Sequence, residues 1–310
     1  MNSQTLEFSI IIPTYNRPEQ LEQCLQSVAR LDYPSDRFEV IVVDDGGSTP
    51  LNPTTEKFDA CFSLQLIQQP NAGPASARNT GAAAAQGHYL VFTDDDCQPN
   101  ADWLNALAAA LADFPNALIG GNTVNALPHN LYSTASQLLI DYLYSYYNQT
   151  RGKATFFCSN NLAAPRTLYQ ELGGFDTQFP LAAGEDREFC DRWRHQGYPM
   201  HYASAAQIHH AHQLTLFSFW RQHFNYGRGA FHFHQVRAKR GAGQIAVEPL
   251  SFYLNLLIYP FSSVSRQSRL LLSSLFVLSQ AANLIGFFGE RVNQQSRLKG
   301  QKSLAIRDVD

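Results

Sequence analysis

Three consecutive aspartates, Asp94, Asp95 and Asp96, are the residues of this 310-residue chain whose type and spacing most clearly indicate chemistry. They directly follow an apolar run, residues 88–92, that has the pattern of a buried strand. Carboxylates placed side by side repel one another, and their pKa values rise unless a positive charge compensates them. Because Mg²⁺ and Mn²⁺ favour oxygen ligands, the triplet predicts a divalent-cation site; a solvated acidic turn is the alternative if the motif stood alone.

The first half of the chain alternates apolar runs with helical patterns. The apolar runs lie at residues 8–13, 39–44, 64–67, 88–93 and 117–121, and the helical patterns at residues 18–30, 74–86 and 101–113. This alternation predicts an α/β fold with a mostly parallel sheet covered by helices on both faces. Ligands of such sheets bind beyond the carboxyl ends of the strands. Polar residues follow three of those ends, at residues 13–17, 44–46 and 94–96, so we expect all three to line one crevice.

Composition argues against several classes of protein. The formal net charge is −3 and no extended basic face is evident, which argues against nucleic acid as a partner. Neither G-x-G-x-x-G nor G-x-x-x-x-G-K-[ST] is present, so a dinucleotide fold and a P-loop are not supported. Five scattered cysteines without C-x-x-C spacing, and a short polar start without a signal peptide, lead us to expect reduced thiols and a cytoplasmic location.

Six segments of the chain together resemble the family 2 glycosyltransferases. They are FSIIIPTYNR (residues 8–17), EVIVVDDGG (39–47), NAGPASARNTGAAAAQGHYLVFTDDD (71–96), NNLAAPR (160–166), LGGFD (172–176) and GEDREFCDRWRHQG (184–197). Each segment is weak evidence alone, but their order and spacing run from about residue 8 to about residue 229. The resemblance implies a GT-A fold and a nucleotide-diphospho-sugar donor, with a UDP-sugar as the first expectation.

The resemblance also implies which residues bind the donor. They are Pro13, Thr14, Tyr15, Asn16, Asp45, Arg78, Asp94 and Asp95. Asp45 is expected to accept a hydrogen bond from the pyrimidine ring. Arg78 is expected to brace the pocket, with ordinary pairing to a surface acid as the alternative.

The metal site implied by the resemblance uses Asp94, Asp96 and His210. Asp94 and Asp96 match the outer acids of the family's D-x-D motif, with Asp96 holding Mn²⁺ or Mg²⁺ on the pyrophosphate. His210 matches a position at which some family members complete the metal site, and a histidine-rich surface loop is the alternative. A divalent ion across both phosphates stabilises the charge that develops on the leaving diphosphate.

Glu185 and Asp186 are the candidates for the base that the acceptor hydroxyl needs. They begin a predicted helix with Phe189 and Trp193 on its buried side, and helix capping by the two acids is the alternative. By resemblance, Asp186 matches the general base and Glu185 its supporting neighbour. A single direct attack without an enzymic nucleophile inverts the anomeric carbon, so we expect an inverting enzyme.

The carboxyl-terminal part of the chain is apolar. Residues 249–265 and 270–289 carry no charge; Arg266 and Arg269 separate the two stretches, and Arg291, Arg297, Lys299 and Lys302 follow the second. We expect a catalytic domain at residues 1–235 and a helical, membrane-associating segment with a basic tail at residues 236–310. A spanning helix, an interfacial helix pair and a hairpin packed on the catalytic domain are the three interpretations. Association with the cytoplasmic side of the cell membrane would suit a glycan or lipid-linked acceptor.

Two other functions compete with sugar transfer. A nucleotidyltransferase also combines an α/β sheet with an acidic metal site, but residues 13–17 are not the glycine-rich basic loop that follows the first strand of such enzymes. A catalytically inactive sugar-nucleotide-binding scaffold that partners another synthase would have no need of Asp186.

Overall fold

The computed structural model describes residues 6–148, 154–179, 183–241, 248–262 and 268–307, with side chains up to residue 296. Its strands are β1 (Phe8–Thr14), β2 (Phe38–Asp44), β3 (Ser63–Gln68), β4 (Tyr89–Thr93), β5 (Cys97–Pro99), β6 (Leu118–Asn125), β7 (Asn161–Pro165) and β8 (Met200–His210). Its helices are α1 (Pro18–Val28), α2 (Asn52–Thr55), α3 (Pro74–Ala84), α4 (Trp103–Asp113), α5 (Leu131–Tyr147), α6 (Arg166–Leu172), α7 (Glu185–His195), α8 (Leu216–Lys239), α9 (Leu250–Ser262) and α10 (Arg269–Arg307). The first half therefore follows the predicted alternation of strands and helices.

The central strands β1, β2 and β4 are mostly apolar and almost entirely buried because both faces of the sheet are covered. Successive side chains of a strand point to opposite faces. Ile10 of β1 packs in one core with residues of α1 and α4. Its neighbour Ile11 packs in a second core with residues of α3 and α7. The sheet thus forms the middle layer of a three-layer arrangement.

The eight strands of the described chain form one sheet in the order β3-β2-β1-β4-β7-β6-β8-β5. The strands from β3 to β4 run parallel, with Ile10 of β1 opposite Val40 of β2 and Val91 of β4. β7 is antiparallel to β4 and β6, and β5 is antiparallel to β8, so the sheet is mixed beyond its parallel half. The α/β prediction is confirmed.

The chain leaves β1 in one direction, through β2 and β3, and returns on the other side of β1 as β4. This reversal makes the carboxyl ends of β1 and β4 a topological switch point, where sheets of this kind bind their ligands. The sequence places Thr14 and the aspartate triplet at these two ends.

The helices after the sheet pack on one another and on α5. Leu139 of α5, Phe219 of α8, Phe252 of α9 and Phe276 of α10 belong to a third hydrophobic core. An 18-residue window within residues 269–296 of α10 has a mean hydropathy of 1.7, and a third of that window is buried in the protein. By length and composition alone, residues 269–296 are long and apolar enough to cross a membrane. The expected boundary between residues 235 and 236 falls inside α8, and the division into two domains stays a prediction.

Candidate active site

The carboxyl ends of β1, β2 and β4 line one cavity of about 1230 Å³. The residues expected to bind donor or metal, or to act as a base, that line it are Pro13, Thr14, Tyr15, Asp45, Arg78, Asp94, Asp95, Asp96, Glu185, Asp186 and His210. The sequence therefore predicted which side chains the fold brings together, although these residues lie on separate strands, helices and loops. Asn16 is the exception among the expected residues.

Asp45 follows β2 and is buried beneath the loop that leads into α3. Its Oδ1 accepts hydrogen bonds from Gln69 Nε2 (2.6 Å) and the backbone N–H of Ala72 (2.9 Å), and its Oδ2 accepts one from the backbone N–H of Gly73 (2.8 Å). A carboxylate offers about four acceptor positions, so these bonds leave one on Oδ2. Asp45 thus fixes the wall of the cavity and retains one acceptor position.

Asn16 lies outside the cavity lining. It has a left-handed φ of 54°, and its Oδ1 accepts a hydrogen bond from the backbone N–H of Ser48 at 2.7 Å. Asn16 therefore holds the loop after β2 against the loop after β1. Its expected contact with the donor stays a prediction.

Asp95 is the most buried of the three consecutive aspartates. Its carboxylate accepts hydrogen bonds from Thr14 Oγ1 (2.7 Å) and Arg17 Nη1 (3.1 Å). Burial raises the pKa of Asp95 to about 6 although Arg17 and Thr14 oppose the shift. These contacts join the end of β1 to the end of β4.

Asp96 lies next to His210 because β5 and β8 are paired. Cys97 of β5 stands opposite His210 of β8, and Asp96 Oδ1 lies 3.2 Å from His210 Nε2. Burial alone would raise the pKa of Asp96, but the hydrogen bond and charge of His210, together with His212 and Arg17, lower it below its usual range. Asp96 is therefore held as a carboxylate.

The side-chain atoms around Asp96 could coordinate a divalent cation. Asp96, Cys97 and His210 offer possible ligand atoms within 4.8 Å of one another. An ionised carboxylate suits Mn²⁺ or Mg²⁺, and an imidazole beside it suits a transition metal such as Mn²⁺ better than Mg²⁺. Burial keeps the pKa of the Cys97 thiol well above its usual range, so it is a poor ligand for such hard ions. Asp94 lies in the same cavity, but its Oδ1 accepts a hydrogen bond from Arg78, so its expected role as a metal ligand stays a prediction.

Arg78 of α3 connects the two acidic motifs. Its Nη2 donates to Asp94 Oδ1 at 2.7 Å, and its Nη1 donates to Glu185 Oε1 at 3.3 Å. Its side chain is 3% exposed, and its guanidinium lies 5.7 Å from the ring centre of Phe175. Arg78, which we expected to brace the pocket, thus fixes the distance between the two acidic sides of the cavity.

Glu185 and Asp186 form the first turn of α7. Gly184 precedes them with φ +94°, a conformation that favours glycine and turns the chain into the helix. Asp186 Oδ1 accepts a hydrogen bond from the backbone N–H of Arg187 at 2.7 Å, and Glu185 Oε2 is buried without a hydrogen-bond partner among the described residues. Burial, aided by the charge of Asp186, raises the pKa of Glu185 to about 7, and burial likewise raises the pKa of Asp186. A carboxylate with a raised pKa is a stronger base.

Arg17 and His212 lie next to the acidic triplet and His210 in the cavity, and neither was among the predicted site residues. Arg17 Nη1 bonds both Asp95 (3.1 Å) and Asp96 (3.2 Å), and it is the arginine of the PTYNR segment. A basic residue directly after a strand, in a crevice that also holds an acidic triplet, was the signal for it. His212 stacks on His210 with ring centres 5.0 Å apart, and its alternation with His210 was visible in the sequence.

Comparisons with known proteins identify the family of this chain. The model of the family described as "Glycosyl transferase family 2" matches residues 9–173. Glycosyltransferase AglE of Haloferax volcanii is 29% identical over 65% of this chain and 66% of AglE. The probable glycosyltransferase YdaM of Bacillus subtilis is 28% identical over 71% of this chain and 54% of YdaM. The aligned parts thus span less than two thirds of either relative.

Solved structures share the fold. The mannosyltransferase PcManGT from Pyrobaculum calidifontis, solved with GDP-Man and Mn²⁺, has a TM-score of 0.59 at 21% identity and covers 97% of this chain and 80% of that one. Residues 1–349 of S. aureus TarS give a TM-score of 0.54 at 19% identity, over 94% of this chain and 92% of that one. The likeness at these identities concerns the fold alone. With the family match across more than half of its residues, the chain belongs to glycosyl transferase family 2 and is a glycosyltransferase with a GT-A type of fold.

Proposed function

We propose that this glycosyltransferase moves a sugar, with inversion, from a nucleotide-diphospho-sugar to an acceptor hydroxyl at a membrane, with the help of a divalent cation. One observation carries the proposal. Buried Arg78 bonds both Asp94, at the donor side of the cavity, and Glu185, next to Asp186. The acidic strand end and the candidate base therefore face one space at a fixed separation.

Asp45 supports a donor whose base carries a ring N–H. Its one remaining acceptor position can take a hydrogen bond from uracil or from guanine. TarS has been solved with UDP and with UDP-GlcNAc, and PcManGT with GDP-Man. We place a UDP-sugar first, and a comparison of UDP with GDP tests that choice.

Asp96 and His210 would hold the divalent cation, and Asp94 is the third candidate ligand. When bound, such an ion stabilises negative charge on the diphosphate. Arg17 already supplies positive charge to Asp95 and Asp96. The aspartates after β4 therefore already lie next to one positive charge and could bind a second, that of the cation.

Asp186 would accept the proton of the acceptor hydroxyl as that oxygen bonds to the anomeric carbon and the nucleoside diphosphate leaves. Glu185 would position the first turn of α7 through its bond to Arg78. The attack comes from the face opposite the leaving group, since no enzymic nucleophile intervenes, and the anomeric configuration is inverted.

The surface of α9 and α10 supports a membrane location. Large apolar side chains are exposed along both helices, among them Leu254, Ile258 and Val277. Glu290 of α10 is 5% exposed and pairs with Arg228 Nε of α8 at 2.7 Å. Because α10 would lose this buried pair on leaving α8 to cross a bilayer alone, we propose that α9 and α10 lie on the membrane rather than across it. The acceptor would then be a glycan or lipid-linked molecule made at the cytoplasmic side.

Calorimetric titration tests the proposal at its first step. UDP, GDP and dTDP would be titrated into the wild type and into Asp96→Asn, each with and without Mn²⁺. We expect one nucleotide to bind, and to need both Mn²⁺ and Asp96. A folded wild type that binds no nucleotide in the presence of Mn²⁺ would contradict the donor and the metal together.

A further inference from the structure

The cavity is larger than its donor end requires. Pockets for small molecules commonly measure 300–1,000 Å³, whereas this one measures about 1230 Å³ and continues past Asp186 between α5, α8, α9 and α10. The chemistry of its walls changes along this length, from acids and arginine at the strand ends to uncharged polar groups and then to apolar side chains.

The middle of the cavity carries polar atoms whose hydrogen bonds are unmet. Gln222 Oε1, His223 Nε2 and Asn283 Oδ1 are buried without a hydrogen-bond partner among the described residues, and all three residues line the cavity. Burying such atoms without a hydrogen-bond partner is unfavourable. They are therefore groups that hydroxyls of a bound molecule would satisfy.

The far part of the cavity, here called the apolar arm, is lined mainly by apolar side chains, with His234 and Glu248 as polar residues beside them. Its lining residues are Leu139, Ile140, Leu143, Phe233, Phe252, Tyr253, Leu256, Leu284, Phe287 and Phe288. The backbones of α8 and α10 touch where the arm begins, since a Cβ on Gly227 would lie 2.0 Å from the carbonyl oxygen of Asn283. This close contact fixes α10 as a wall of the cavity.

The apolar arm opens onto the exposed apolar surface of α10. Leu284 and Phe288 line the cavity and are nevertheless 59% and 53% exposed. Val277 and Val292, which do not line the cavity, continue the same helix face at helical spacing and are 56% and 60% exposed. Leu284 and Phe288 therefore connect this exposed apolar surface directly with the apolar arm.

We propose that the apolar arm binds the hydrocarbon chain of a lipid-linked acceptor that remains anchored in the membrane. Its polar end would then lie against Gln222, His223 and Asn283, with its hydroxyl near Asp186. The inference rests on the proposed function, because it names the class of acceptor for the same site. It goes further because it assigns the residues that bind the hydrocarbon chain and the side from which the acceptor enters the cavity.

Photolabelling of the full chain tests the inference. The probe is a long-chain fatty alcohol with a diazirine in its hydrocarbon chain, and labelled peptides are identified by mass spectrometry. We expect label on peptides that contain Leu256, Phe287 or other residues of the arm. We also expect the Leu284→Glu, Phe288→Glu double variant to lose this label by about tenfold, a factor equal to ~1.4 kcal/mol.

The matched control is the Val277→Glu, Val292→Glu double variant. It adds the same charges to the same exposed face of α10 but leaves the arm intact. Label in the arm that is lost in the first variant and kept in the control supports the inference. The inference is overturned if the label is spread over the whole exposed face of α10, or if it is unchanged in the first variant. It is also overturned if α10 is found in contact with a second copy of the chain instead of with the label.

Nucleotide binding separates this inference from the proposed function. All the substitutions lie outside the donor end, so calorimetric binding of the nucleotide with Mn²⁺ should be unchanged in both double variants. Intact nucleotide binding without label in the arm contradicts only the lipid-linked acceptor. If the wild type binds no nucleotide in the presence of Mn²⁺, the proposed sugar transfer is contradicted as well.

Discussion

Arg78 and Glu185 lie 107 positions apart in the sequence and form an ion pair inside the protein, with Arg78 Nη1 3.3 Å from Glu185 Oε1. Both side chains are 3% exposed. A buried charge pair of this kind requires that both partners stay in place, because removing one leaves the other uncompensated. Since Arg78 also bonds Asp94, the pair determines how far the donor side of the cavity lies from the candidate base.

Replacing Arg78 should therefore damage both stability and activity. Above pH 7, where Glu185 is ionised, Arg78→Ala is expected to lower the free energy of unfolding by about 3–5 kcal/mol, because it leaves buried Glu185 without its cation. Arg78→Lys keeps the charge but cannot donate to two separate acids with a planar fork, so we expect a smaller loss of stability and a clear loss of sugar transfer. Urea unfolding and transfer kinetics measure the two effects. Lys57→Ala, which breaks the exposed pair with Glu22, is the control and should change stability by about 0–1 kcal/mol.

The pKa of Glu185 gives stability a dependence on pH. Burial and the charge of Asp186 raise the pKa of Glu185 from 4.5 to about 7 in the folded state. Between these values the folded protein holds a proton that the unfolded chain has lost, so stability falls as the pH rises towards 7. Glu185→Gln removes this effect. The free energy of unfolding of the wild type relative to Glu185→Gln should fall by up to about 3 kcal/mol between pH 4.5 and 7.

Chemical unfolding at several pH values checks this expectation. Glu19→Gln, on the exposed side of α1, serves as the control for the loss of a carboxyl group. Its stability curve should stay parallel to that of the wild type. A parallel curve for Glu185→Gln as well would show that Glu185 has no raised pKa.

Much of the donor end of this site could be predicted from the sequence because it depends on local pattern. β1, β2 and β4 are continuous apolar runs that end in polar residues, and parallel strands bring such ends to one edge. The long-range contacts could not be predicted in the same way. Asp96 meets His210 only because β5 pairs with β8, and nothing local to either strand specifies that register.

The carboxyl-terminal helices show the same limit. The apolar composition of residues 249–265 and 270–289 favoured membrane-associating helices but was compatible with three arrangements. The buried pair between Glu290 and Arg228, and the contact of α10 with Gly227, are tertiary features that decide how α10 lies on the protein. A composition-based pattern cannot report them.

Replacing Asp186 should separate catalysis from donor binding. Asp186→Asn keeps the size of the side chain but cannot accept the proton of the acceptor hydroxyl, so kcat should fall by about 10²- to 10⁴-fold, the usual contribution of a general base. Binding of the nucleotide with Mn²⁺ should be unchanged, because Asp186 takes no part in the hydrogen bonds and ion pairs that hold Asp45 and Asp96 among the described residues. Steady-state kinetics and calorimetry measure the two. An Asp186→Asn variant with wild-type kcat would exclude Asp186 as the base.

Arg17 should compete with the divalent cation for the acidic triplet. Its Nη1 lies 3.1 Å from Asp95 and 3.2 Å from Asp96, and its side chain is 47% exposed and able to move away. In Arg17→Gln the acids lose this compensation, so Mn²⁺ should raise the Tm of the variant more than that of the wild type. Thermal unfolding over a series of Mn²⁺ concentrations measures the difference. Arg30→Gln removes a charge from the other end of α1 and should respond to Mn²⁺ as the wild type does; an equal response of Arg17→Gln would contradict the competition.

The exposed apolar face of α9 should bind lipid. Leu254 and Ile258 are one helical turn apart and 54% and 60% exposed, so both can be buried in a bilayer surface without moving the core. Replacing both by glutamate removes about 2 kcal/mol of apolar burial and adds charge to the contact, so the fraction of protein that sediments with liposomes should fall by about tenfold or more. Asn255→Glu adds a charge to the same exposed stretch without removing apolar area, and it should reduce sedimentation far less. If the wild type stays in the supernatant with every liposome composition, α9 and α10 do not bind membranes, and their apolar face must be covered by protein.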